Sequence, residues 1–124
     1  MTTTDDSSDA DLREPGQIAR ARTEAQAREY PDDRLLSQCI IAQIPAARKA
    51  QARQTHAVVM GLRYGKDYKR PAINTQWDLC DPQWLQGAAR LVWDHCVDQR
   101  LNPRIYYWFT VGGEDSGFDI GVDP

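Results

Sequence analysis

Apolar residues recur at helical spacing along three stretches of this chain and alternate along a fourth. Leu35, Leu36, Cys39, Ile40, Ile41 and Ile44 fall three and four positions apart, behind the start signal Pro31-Asp32-Asp33. Two acids there sit at the positive end of a helix dipole. This predicts a core helix over Asp33 to Ile44, kinked or restarted at Pro45. The Ala-, Lys- and Arg-rich run Ala46 to Gln54 then continues as exposed helix. Upstream, Gln17 to Tyr30 is helix-prone but thin. Ile18, Ala21, Ala25 and Tyr30 give it little to bury, so it frays unless something packs on it.

The widest apolar arc belongs to the stretch opened by Asp81-Pro82, an N-cap carboxylate followed by a proline suited to the first helical turn. At about 100° per residue, Leu85, Ala88, Ala89, Val92 and Cys96 align, with Trp84, Leu91 and Trp93 on the flanks. The spacing predicts a hub helix covered on most sides, ending near Asn102 because Pro103 disfavours a helical residue before it. Alternation takes over from Arg104. Arg104 to Val111 and Phe118 to Val122 read as a hairpin joined by Gly112 to Gly117. Ile105, Tyr107, Phe109 and Val111 share one face with Phe118, Ile120 and Val122, which is expected to be core. Tyr106, Trp108 and Thr110 share the other with Asp119, Gly121 and Asp123. The short apolar run His56 to Leu62 suits either a buried strand or a helix end, and the helical context before it favours helix.

Together these elements predict an α+β fold: three to four helices packed on a small antiparallel sheet dominated by a C-terminal β-hairpin. Residues 1–14 contain one leucine and no other large apolar residue past the initiating methionine, so they are expected to form a disordered acidic head. Residues 15–124 then make a single domain, since 124 residues support one core and not two.

Composition narrows the setting. No stretch approaches eighteen apolar residues, which excludes a transmembrane helix, and Met1 to Asp11 lacks the apolar core of a secretory leader. Three cysteines, an odd number far apart, suit reduced thiols in a bacterial-type cytoplasm better than a disulfide framework. The net charge of -3 conceals three blocks. Residues 1–33 hold four arginines against nine acids, residues 34–70 eight cations against one aspartate, and residues 71–124 three arginines against eight acids. Local potential of this kind governs binding more than the total does.

Two features carry candidate chemistry. The hairpin face with Arg104, Tyr106, Trp108 and Asp119 sets large aromatics beside carboxylates, a mixture that protein interfaces favour. It serves either as a partner-binding surface or as the floor beneath the N-terminal helix, because a sheet often takes a layer on each face. The basic segment from Arg48 to Arg70 interleaves cations with rings: Arg48, Lys49, Arg53, Arg63, Tyr64, Lys66, Tyr68, Lys69 and Arg70. Cations for phosphate and rings for stacking suit nucleic acid, while an ordinary solvated loop has the same look.

Catalysis and metal binding find little support. The histidines and cysteines lack metal-ligand spacing, and His95 and Cys96 are adjacent on a helix, so their side chains diverge. Glu114, Asp115 and Asp119 lack the alternation of a calcium loop, and no phosphate loop or serine elbow occurs. No catalytic residue, metal or cofactor is therefore assigned. The sequence points to a non-catalytic cytoplasmic protein that binds another protein, or itself, as an adaptor, regulator or inhibitor. The alternative is a nucleic-acid-binding accessory protein acting through residues 48–70.

Overall fold

The computed structural model describes residues 13–69 and 80–124. Most of the expected acidic head and Arg70 lie outside them. Among the described residues the chain forms three helices and a three-stranded antiparallel sheet, an α+β architecture. The helices are α1 (Pro15–Glu29), α2 (Asp33–Ala50) and α3 (Gly87–Asp98). The strands are β1 (Ala57–Leu62), β2 (Arg104–Phe109) and β3 (Ser116–Val122), in the sheet order β1-β3-β2. Helix α1 covers one face of the sheet, while α2 lies on the other and carries α3 against its flank.

Local chemistry explains most boundaries. Glu14 and Gln17 form a reciprocal capping box, with Pro15 at the first helical position of α1. The Asp32 carboxylate accepts from the backbone N–H groups of Arg34 and Leu35 at 2.9 and 3.0 Å, fixing the start of α2. Pro45 neither ends nor restarts α2, which runs through it to Ala50. The helix stops there, short of the expected Gln54.

Two expectations are corrected. The run 57–62 is a strand, and all six of its residues are buried. A continuous apolar run fits a strand covered on both faces, and pairing with β3 outweighs the helical context upstream. Asp81-Pro82 opens only a 3₁₀ turn over Pro82–Trp84, and α3 begins at Gly87. Lys69 N–H donates to Trp84 O, and Gln86 N–H donates to Asp67 O, which holds Leu85 extended in the core. Gly87 then turns the chain with φ 57°, a left-handed conformation that glycine adopts without steric cost. The tertiary pairing wins over a cap signal worth about 1 kcal/mol.

The main core lies between the sheet and α2 with α3. Leu36, Ile40 and Ile44 from α2 meet Met60 and Leu62 of β1, Val92 and Cys96 of α3, and Ile105, Ile120 and Val122 of the hairpin.

Candidate functional site

Alternation sorts the hairpin residues correctly into two faces, but the covering of those faces differs from expectation. On the presumed core face only the near end is buried, at Ile105, Ile120 and Val122. At the far end Tyr107 is 45% exposed, Phe109 61% and Val111 90%, because the described helices do not reach there. Tyr107 touches Phe109 and Phe118, with ring centroids 6.0 and 5.2 Å apart, and Phe118 leans on the buried Tyr68 at 4.8 Å. The result is an aromatic ledge running out from the core.

The opposite face, weighed as a partner surface through Arg104, Tyr106, Trp108 and Asp119, lies largely beneath α1. Trp108 is 9% exposed and Asp119 only 3%. Tyr106 is half-buried and stacks flat on His56 at 3.7 Å, while Arg104 stays exposed. Helix α1 can lie this close because its inward residues Gly16, Ala19 and Thr23 are small. The Trp108 indole fills the space a Cβ would need at Gly16, and the α1 backbone at Arg20 does the same at Gly61. Arg20 fastens the layer. Its guanidinium meets Asp115 Oδ2 at 2.6 Å, donates to Ser116 O at 3.0 Å and lies 5.0 Å above the Trp108 ring. The Arg20 bond to Asp115, with one from Gln17, holds the Asp115 carboxyl below its ordinary pKa.

Among the described residues, two buried polar atoms under α1 have no hydrogen-bond partner, Trp108 Nε1 and Asp119 Oδ1. Burial without a counter-charge pushes the Asp119 carboxyl up to about 7, so it titrates near neutrality.

The two edges of the sheet are treated differently. On β1 side chains engage the outward groups of Val58 and the N–H of Gly61. Gln51 accepts from Val58 N–H and donates to Val58 O, both at 2.9 Å, and Gly61 N–H donates to Thr23 Oγ1 at 3.1 Å. On β2, Arg104, Tyr106 and Trp108 pair across to Gly121, Asp119 and Gly117, and Thr110 N–H continues that series by donating to Asp115 O. The intervening Ile105, Tyr107 and Phe109 therefore direct their backbone N–H and C=O groups outward. Among the described residues nothing pairs with them. An open edge beside exposed rings is an arrangement that folded proteins ordinarily avoid or use.

The basic segment does not form one patch. Arg48 and Lys49 occupy the last turn of α2, where Arg48 donates to Asp123 O, and Arg53 follows beyond the helix end. Arg63 sits at the opposite end of α2, 3.9 Å from Asp33, and its guanidinium makes a two-point contact with the buried Asp67 at 2.6 and 2.8 Å. The fifteen residue steps from Asp33 to Arg48 separate the groups by about 22 Å of helix. Tyr68 is buried, with its hydroxyl accepting from Asp81 N–H, so no base can stack on it. Arg63, Tyr64 and Lys66 line an open cleft of about 400 Å³ with Glu24 and Arg28. Lys69 is exposed.

Cys96 is buried in the α3 stripe, and that burial raises its thiol to about 11, far from a reactive thiolate. The three acids of the hairpin part ways: Glu114 faces solvent, Asp115 binds Arg20 and Asp119 is buried. Comparison of the chain with protein-family models, with curated proteins and with solved structures gives no match.

Sequence reasoning missed Gln51 and Thr23, because an edge cap has no meaning until 57–62 is known to be a strand. It also assigned Tyr107 and Phe109 to the core. Alternation marks the face those residues share, but it carries no signal for how far along the strand the helices on that face reach.

Proposed function

We propose that this protein is a non-catalytic protein-binding module that takes up an extended polypeptide segment along the outer edge of β2. The observation that carries the reading is the contrast between the two sheet edges: β1 is held at Val58 and Gly61 by Gln51 and Thr23, whereas β2 is unpaired, among the described residues, at Ile105, Tyr107 and Phe109. Strand addition draws affinity from main-chain hydrogen bonds and selectivity from alternate side chains. Here the Tyr107–Phe109 ledge would grip apolar residues of the incoming strand, and Arg104 would meet an acidic group at its end. This retains Arg104 from the hairpin surface and replaces Trp108 and Asp119, which belong to the α1 layer. An adaptor, regulator or inhibitor with reduced cysteines in a cytoplasm fits such a module.

The nucleic-acid alternative is less favoured, since the cations it needs stand at opposite ends of α2 and one of its rings is buried. The test is selection of short random peptides on the wild-type protein, followed by a Tyr107→Pro variant. Proline there deletes one outward N–H without touching the β3 ladder. Alternating apolar peptides that lose binding to the variant, at unchanged circular dichroism, support the reading. Peptides that bind both proteins equally, or no enrichment on protein that is monomeric during the selection, refute it.

A further inference from the structure

We propose that the strand received by β2 is β2 of a second copy of this chain, paired antiparallel about a two-fold axis through Tyr107. The inference rests on the reading of β2 as a binding edge and names its occupant.

The register follows from which backbone groups are unpaired among the described residues. Outward-facing residues are Ile105, Tyr107 and Phe109, so an antiparallel copy must align odd positions with odd positions. Shifting the axis toward the start of β2 places Pro103, which has no N–H, in the ladder. Shifting it the other way recruits Val111, which has already left the strand for the turn. With the axis at Tyr107 all three residues are used. Tyr107 pairs with its own copy, and Ile105 pairs with Phe109 of the other chain, twice by symmetry.

Charge supports the same orientation. Between Arg104 and Glu114 the chain reads Ile-Tyr-Tyr-Trp-Phe-Thr-Val-Gly-Gly, with no charge and no proline to discourage pairing. Arg104 and Glu114 are exposed at opposite ends of this neutral stretch, and no ion pair involves either among the described residues. In the register centred on Tyr107, Arg104 faces Thr110 of the other chain, one residue from the turn that carries Glu114. Antiparallel self-pairing therefore sets each arginine beside the other chain's acidic turn. A parallel copy would set arginine beside arginine and glutamate beside glutamate, which is unfavourable.

Side chains agree. Tyr107 and Phe109 of the two copies would merge their ledges into one apolar strip across the axis. On the reverse face α1 crosses from Trp108 at Gly16 to β1 at Thr23, leading away from the open edge.

The experiment is sedimentation velocity of the full chain from about 1 to about 200 µM, with charge variants. The wild type is expected to pass from monomer to dimer within that range. Arg104→Glu alone sets glutamate against Glu114, and Glu114→Arg alone sets arginine against Arg104. Each is expected to raise the dimer dissociation constant about tenfold or more. An equimolar mixture of the two variants places opposite charges at both contacts, so it is expected to recover a heterodimer of wild-type affinity. Tyr107→Pro is expected to be monomeric.

A wild type that stays monomeric throughout overturns the inference. So does a dimer whose single charge variants associate normally and whose mixture gains nothing. If Tyr107→Pro fails to fold, the charge variants still decide. A monomeric wild type that nonetheless enriches edge-dependent peptides defeats the second copy as occupant and leaves strand addition standing. Monomer without enrichment defeats both.

Discussion

Asp119 should make the stability of this protein fall as the solution is brought from acid to neutral pH. The carboxyl is buried beneath α1 with Oδ1 unpartnered, and burial lifts its pKa from 3.8 to about 7. The folded state therefore holds a proton that the unfolded state releases. Below about pH 4 both states are protonated, and ionisation of the group costs nothing. Between about pH 4 and 7 only the unfolded state ionises, so unfolding becomes progressively easier. Above about pH 7 both states are ionised, and the loss levels off. A displacement of roughly three units at about 1.4 kcal/mol each amounts to about 4 kcal/mol, a large share of the stability of a small domain. Asp119→Asn keeps the shape and removes the ionisation. The assay is urea unfolding followed by tryptophan fluorescence, comparing variant with wild type at each pH so that other titrations cancel. The two midpoints should nearly coincide at about pH 4. The variant should lead by about 2 M urea at about pH 8, for a slope near 2 kcal/mol per molar. A difference that does not change with pH would show that Asp119 is not held protonated, and the reasoning would fail.

Two further outcomes separate the layers of the fold. Gly61→Ala sets a methyl group against the α1 backbone at Arg20, and overpacking of this kind costs about 1–3 kcal/mol. Amide exchange should then accelerate across Pro15–Glu29 while α3 stays protected; uniform acceleration would mean that α1 is not a separable layer. Ile120→Ala should cost about 2–5 kcal/mol in denaturant unfolding, whereas Phe109→Ala should stay within about 0.5 kcal/mol, since Ile120 is fully buried and Phe109 stands on the open ledge. Equal costs would place Phe109 in the core after all.

The sequence made the hairpin, the first turn of α2 and the apolar stripe of α3 legible because each rests on local periodicity or capping. Asp32 caps α2 as its position implies, and Leu85, Ala88, Ala89, Val92 and Cys96 are buried together. The misreadings are tertiary. Val58-Val59-Met60-Gly61 becomes a strand because β3 is there to pair with it, and Asp81-Pro82 yields only a turn because Lys69 N–H holds Trp84 O. Alternation told Tyr107 from Trp108 but not which side is dry. That was decided by Gly16 and Gly61, two residues with no hydrophobic signal whose missing side chains let α1 settle on the sheet. The candidate site was legible as a place, the β2 strand, and its orientation was not.

Gln51 has a consequence for stoichiometry. Its amide occupies both outward groups of Val58, mimicking with one side chain the neighbour that another strand would provide. A sheet open at both rims can add chains without limit and grow into a fibre. A sheet with one rim already occupied accepts a single addition and terminates. Under the proposed edge pairing, the same glutamine that finishes the monomer would work against growth past two chains.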